Sequence, residues 1–189
     1  MLSLFTIIIA ISVAIPLGVL AAWKSRTFID RFAMIFAVLG FSVPVFVIGY
    51  ILMYVFAIQL KWLPVQGYKH LADGLLPCLR SLVLPSIALG VVYIALIARI
   101  TRASVLEVLA EDYIRTAKAK GLSSRVVLTR HALKNAAVPI VTIIGVGIAL
   151  LIGGVVVTES VFNIPGLGRL TVDAILHRDY PVIQAIIIL

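Results

Sequence analysis

Long runs without a charged residue dominate the chain. No Asp, Glu, Lys, Arg or His occurs in residues 1–23, Phe32–Leu60, Ser81–Ala98 or Asn135–Thr158. A helix needs about 20 residues, at about 1.5 Å each, to cross the hydrocarbon core of a bilayer. The first and fourth runs fit that length, and the second is long enough to tilt or bend. The third is short, and Ile100 with the snorkelling stem of Arg99 extends it. A further apolar run opens at Pro181 and stops at Leu189, and it reads as the start of a truncated last span. The pattern therefore predicts spans at about 2–23, 32–58, 81–100 and 135–158, with another beginning at 181–189. Ile143–Ile152 is apolar on every face, as a helix in lipid requires, where barrel strands alternate apolar and polar positions. Residues 1–23 lack a basic leader and run too long for a signal peptide's apolar core. The expected fold is all-α: a polytopic membrane helical bundle forming a single domain over 1–189.

Composition agrees. The chain has 189 residues, 62% of them apolar and 13% charged, with a mean hydropathy of +1.19. A soluble domain carries about 25% charge, so soluble globular and disordered classes are excluded. The single cysteine, Cys78, excludes an intrachain disulfide and a Cys-rich zinc site. The net charge of +8 is unevenly placed. Lys24, Arg26 and Arg31 lie between the first two runs. Arg99, Arg102, Arg115, Lys118, Lys120, Arg125, Arg130 and Lys134 lie between the third and fourth. The opposite side holds only Lys61, Lys69, Arg80, Arg169 and Arg178. The basic side is expected to be cytoplasmic. That orientation puts Met1 outside, so at least one earlier span is expected to be missing, and it exposes Cys78 to an external thiol reagent. No aromatic residues interleave the basic ones in a base-stacking pattern, and no nucleic-acid partner is expected.

Each full run holds one proline: Pro16, Pro44, Pro85 and Pro139. Proline inside a helix removes a hydrogen bond and bends the axis. Bent helices suit a pathway that opens and closes; equally, proline is simply common in membrane helices. In the fourth run Gly145, Ala149 and Gly153 recur every four residues, a small-residue face that lets another helix, in the bundle or in a second subunit, come close. The runs hold no ionisable group of the kind proton- or sodium-coupled transporters keep at mid-membrane depth. No G-x-x-x-x-G-K-[ST] phosphate loop occurs, so any ATP is bound by another chain. His70 and His177 lie in different outer segments and His131 on the opposite side, so no metal site is expected. Adjacent Glu111 and Asp112 do not face each other on a helix, and no catalytic residue is expected.

The segment Glu107–Lys134, EVLAEDYIRTAKAKGLSSRVVLTRHALK, has helical composition in its first half. Leu106, Leu109, Tyr113 and Ala117 share a stripe that Ala110 and Ile114 widen. Gly121 reads as a left-handed C-terminal cap with Leu122 packing back, and Ser123 or Ser124 as the cap of a new helix near Arg125. The segment is expected to fold as helix, sharp turn, helix. It could lie on anionic lipid, be a solvated charged face, or dock in a groove of a cytoplasmic protein. The two-helix build, with acids before bases, favours docking.

The run Asp112–Pro139, DYIRTAKAKGLSSRVVLTRHALKNAAVP, resembles the cytoplasmic loop of permease subunits of binding-protein-dependent ABC importers, in their dipeptide, oligopeptide and nickel branch. The general signature of that loop is E-A-A-x-x-x-G, then nine residues, then I-x-L-P. It is matched at Ala117, Gly121 and Leu133. Arg115, Thr116, His131 and Lys134 depart from it as the branch does, with R-T-A-x-A-K-G-L and R-H-A-L-x-N. Ile15–Asp30 resembles the family's second span and first inner turn, Trp62-Leu63-Pro64 its outer segment, and Val161–Tyr180 its last outer loop.

The resemblance implies an ABC importer type I transmembrane domain lacking the first span and most of the last, in a bacterial or archaeal plasma membrane. The coupling loop would be 107–134, with Asp112, Tyr113, Arg115, Thr116, Ala117, Lys120, Gly121, Leu122, His131 and Leu133 at the ATPase. The implied partners are a second permease subunit, two ATPase subunits that hold ATP and Mg, an extracytoplasmic solute-binding protein and the lipid bilayer. The chain itself would bind no cofactor and do no chemistry. The implied solute is a short peptide, or nickel or a related small solute. The rival classes are a secondary transporter and a non-transporting membrane subunit.

Overall fold

A computed structural model describes residues 1–188, with residues 73 and 152–154 described by backbone alone. The described residues form helices and no strand. In chain order they are α1 (Leu2–Trp23), α2 (Phe28–Ser42), α3 (Val45–Leu52) continued by a π-helix (Met53–Gln59), and α4 (Leu75–Ala110). Then come α5 (Asp112–Ala119), α6 (Ser124–Val126) continued by a π-helix (Val127–Ala132), α7 (Leu133–Gly154), α8 (Val156–Phe162), α9 (Leu167–Leu176) and α10 (Tyr180–Ile188). Leu2–Trp23, Leu75–Ala110 and Ser124–Leu151 are long and apolar enough to cross a membrane, and α2 with α3 and its π-helix qualifies only as a bent pair, either a broken fourth span or a re-entrant loop.

The breaks and boundaries refine the sequence expectations. The second apolar run stops at Ser42 and restarts after Pro44, which occupies the N-cap of α3. Proline there has no N–H for the ladder and forces the residue before it out of the helical region. Pro16, Pro85 and Pro139 sit inside α1, α4 and α7, which run on through them. The third span is longer than the expected 81–100, since α4 continues at both ends. The helix after the turn is no separate element: α6, its π-helix and α7 follow one another without a gap into the fourth span.

The chain divides into two compact units. One comprises residues 7–42 and 91–148. In it, Ala10 and Ala14 of α1 are buried with Ile94, Ile97 and Ala98 of α4. At Gly18 the backbones meet: a Cβ would stand 2.6 Å from the Ala98 carbonyl oxygen and 2.7 Å from Thr101 Cβ. On α2, Asp30, Ala33, Ala37 and Gly40 form one buried stripe, and a Cβ at Gly40 would lie 2.8 Å from Val91 Cγ1. Small residues at three- and four-residue spacing thus set the helix contacts, as in membrane bundles generally. Gly18→Ala in the full-length chain is expected to cost about 1–3 kcal/mol by overpacking, read as a lower unfolding midpoint in detergent. Gly145→Ala, with nothing within 4 Å of its Cβ, should leave the midpoint where it was.

Among the described residues, nothing lies within 4 Å of a Cβ at Gly145. Gly145 and Ala149 are exposed, and Gly153 lies outside the residues whose surroundings are described. The neighbour that does pack is Gly147, whose Cβ would rest 3.4 Å from the Tyr93 ring.

The other unit comprises residues 1–6, 43–90 and 149–189. Gly49 faces the Phe162 ring, and Gln66 Nε2 donates to the Val161 carbonyl at 3.0 Å. Asn163 ends α8 in the left-handed conformation, and its Oδ1 accepts from Arg169. The Glu159 carboxylate accepts the Arg169 N–H at 2.9 Å, so an acid meets the free donors at the start of α9. It sits so close to Gly166 and Gly168 that Cβ atoms there would lie 2.0 Å from Oε1 and 3.0 Å from Oε2. Cys78 is 3% exposed, its thiol facing the Tyr68 hydroxyl at 3.9 Å. The expectation that an external thiol reagent reaches it is therefore wrong for the folded chain.

Candidate functional site

The segment between α4 and α7 folds around a small apolar centre of its own. Glu111 interrupts the helix in an extended conformation and becomes the N-cap of α5. Asp112 lies in the first turn of α5 and Lys118 in the last, each at the helix end its charge favours. Ile114 and Ala117 turn inward onto Val127, with Leu109 packed alongside. The π-helix carries Leu128 and Ala132 into a second cluster, with Ala22, Val105, Ala136 and Ile140. The stripe expected from Leu106 to Ala117 is therefore two stripes. Leu106 serves the cluster below the Glu111 break, Ile114 and Ala117 the one beyond it, Leu109 packs against both, and Tyr113 is exposed.

The turn after α5 follows from its sequence. Gly121 has φ of +84°, a region where a side chain is sterically penalised. Its N–H donates to the Lys118 carbonyl at 2.9 Å, and the Leu122 N–H to the Ala117 carbonyl at 3.3 Å. This is the paired Schellman closure, which satisfies the last carbonyls of a helix. The Leu122 side chain is 39% exposed rather than folded back. Ser123 holds the N-cap position of α6, but its hydroxyl makes no cap bond.

The residues expected to couple to a partner are thus distributed unevenly. Asp112, Tyr113, Arg115, Thr116, Lys120, Gly121 and Leu122 are exposed together around α5 and its turn. Arg115 reaches Asp112 at 3.1 Å, with both side chains largely in solvent, a pair of small energetic weight. Ala117 is buried and serves the loop's own centre. His131 and Leu133 are half-buried on the helix beyond the turn.

One tether holds this surface and a second ties α2 to α4, and neither was read from the sequence. Asn135 Nδ2 donates to the Tyr113 hydroxyl at 2.5 Å, tying α5 to the start of α7. At the turn into α2, Asp30 is gripped by Arg102 through Nε at 2.5 Å and Nη2 at 2.8 Å, and it also accepts the Arg26 N–H at 2.9 Å. Arg26 itself is left-handed, with φ of +66°. The available signal was that Asp30 is the only acid in the basic segment 24–31.

Chemically the site offers exposed cations, one acid and hydroxyls on a short rigid helix, an arrangement for recognition. Among the described residues no group of three or more His, Cys, Asp or Glu is placed to hold a metal ion.

Comparison with known proteins gives the same direction. Residues 14–189 match the family described as "Binding-protein-dependent transport system inner membrane component". A probable peptide ABC transporter permease protein of Sinorhizobium fredii is 59% identical over 188 residues, which cover 100% of this chain and 60% of that protein. A glutathione transport system permease protein of Escherichia coli is 46% identical, over 100% of this chain and 59% of its own length. A dipeptide transport system permease protein of Alkalihalophilus pseudofirmus is 39% identical, over 97% of this chain and 61% of its own length. The chain thus spans about 60% of the length of these curated relatives.

Proposed function

The chain belongs to the family of binding-protein-dependent transport system inner membrane components, and on that premise we propose that it forms half of the translocation pathway of an ATP-driven importer. It is a multi-pass membrane protein, with three helices and one broken pair apolar enough to span. In this reading a second permease subunit completes the pathway. Two ATPase subunits, which bind ATP and Mg, dock on the basic side, and an extracytoplasmic binding protein delivers solute from the other. The basic side is cytoplasmic. The names of the relatives, which refer to peptide, dipeptide and glutathione transport, favour short peptides over nickel complexes as the solute.

The observation that carries the reading is α5: a short helix whose apolar face is sealed against Val127 and whose polar face stands free. A helix lying on lipid would instead turn its apolar face outward into the bilayer. Nucleotide-driven closure of the ATPases would move α5, and α5 would move α4 and α7 through Leu109, Val127 and the Tyr113–Asn135 bond.

The test uses Ser123→Cys in the full-length chain, since Ser123 is exposed at the turn. A membrane-impermeant thiol reagent should label it from the cytoplasmic side only, and the ATPase subunits should protect it. Labelling in sealed, intact cells would overturn the orientation. Labelling unaffected by the ATPase would overturn the docking surface.

A further inference from the structure

A recess of about 80 Å³ opens between α2 and α4, lined by Ala37, Val38, Phe41, Ser42, Ala95, Leu96 and Arg99. Apart from the Ser42 hydroxyl, which donates to the Val38 carbonyl at 2.8 Å, its uncharged walls are apolar, and Val38 and Phe41 at its rim are each 58% exposed. The guanidinium of Arg99 is its one charge, and among the described residues it makes no hydrogen bond or ion pair. One turn further along α4, Arg102 is already taken by Asp30. Asp30 is also the only carboxylate in segments 24–31 and 99–106, beside the four cations Lys24, Arg26, Arg31 and Arg99. Lys24 and Arg31 lie over the rings of Trp23 and Phe28, the aromatic and basic pairing found where a helix leaves the hydrocarbon. Beyond the recess Phe32, Ile35 and Phe36 are exposed on the same helix.

We propose that this recess is a binding site for an anionic phospholipid of the leaflet bordering the basic helix ends, with an acyl chain against Ala37, Phe41 and Leu96 and the phosphate on Arg99. The occupant must be apolar along most of its length and negative at one end, at the depth where α4 meets the headgroups. A diacyl phosphate ester has that form. A second copy of this chain in the same orientation does not, because at that depth it would bring its own basic helix ends, with Lys24, Arg26, Arg31, Arg99 and Arg102. The site differs from the docking surface on α5 and does not depend on which side of the membrane the basic ends face.

The test places a photoreactive benzophenone amino acid at Val38 in the full-length chain, assembled with its partner subunits. The vesicles contain equal phosphatidylcholine and phosphatidylglycerol, and the adducts are identified by mass. One arginine near the surface favours an anionic lipid by about 1 kcal/mol, so phosphatidylglycerol adducts should exceed phosphatidylcholine adducts about fivefold. Arg99→Gln should bring the ratio to parity, and Arg99→Lys should keep most of the excess. Parity in the unmodified protein, or an excess that survives Arg99→Gln, overturns the lipid site. Adducts formed mainly with another subunit overturn it too, and assign the recess to assembly instead.

Discussion

Replacing Gly121 by valine in the full-length chain is expected to cut solute uptake roughly tenfold or more while leaving the protein in the membrane. Gly121 lies at φ of +84°, and a Cβ there would find nothing within 4 Å. The penalty therefore comes from the backbone alone, about 1–2 kcal/mol for a left-handed L-residue, which corresponds to roughly 5- to 30-fold in an equilibrium. Relief of that strain opens the turn and breaks the bonds that the Gly121 and Leu122 N–H groups give to Lys118 and Ala117. α5 then leaves Val127, and the exposed face from Asp112 to Lys120 loses its orientation. The spans hold their own contacts, at Gly18 and along α2, and so survive. Asparagine tolerates this backbone region, so Gly121→Asn should keep uptake and ATPase co-purification near the original values while valine lowers both. If α5 merely rested on lipid, Gly121→Val would change little, because the charge is the same. Unaltered uptake and co-purification in the valine variant would remove α5 from the coupling pathway.

The largest effect on stability is expected at Arg102. The Asp30 side chain is 6% exposed, and two of its three hydrogen bonds come from Arg102. Arg102→Ala leaves a buried carboxylate with the Arg26 N–H and the nearby charge of Arg31, so the loss should approach, without exceeding, the cost of a fully stranded buried charge, about 3–5 kcal/mol. Removing both partners is milder, because no charge is then stranded. The double variant Asp30→Ala, Arg102→Ala should therefore unfold at a higher temperature in detergent than Arg102→Ala alone. It should remain below the unaltered chain, since the left-handed turn at Arg26 has lost its acceptor. A double variant no better than the single would mean that the pair contributes through packing rather than charge.

These two residues also mark what a sequence can and cannot reveal. Gly121 was legible because its cause is local: a helix-forming run, a glycine, then leucine and two serines describe a capped turn with no reference to the rest of the chain. Asp30 and Arg102 are separated by 72 positions, and nothing local to either names the other. The helical character of residues 107–119 was likewise readable, but the break at Glu111 was not. Glutamate is a good helix former, and the chain bends there so that Ile114 and Ala117 can reach Val127. The small-residue spacing was noticed at Gly145, Ala149 and Gly153, yet Ala10, Ala14, Gly18 and Ala22 carry it as well. The spacing says only that a helix can approach. Which stripe meets a neighbour is decided by how α1 and α4 pair, a long-range matter, and of the α7 stripe Gly145 and Ala149 are exposed.

Glu159 and the two glycines beyond it have a consequence for substitution. A Cβ at Gly166 would occupy the place of the Glu159 carboxylate, the movable end of a flexible side chain, whereas one at Gly168 would also stand 2.6 Å from the Val156 Cα, which is fixed backbone. Shortening the acid at 159 therefore opens room at 166 and not at 168. Two glycines one residue apart answer to different constraints, one that a side-chain rotation relieves and one that only a shift of α8 against α9 could.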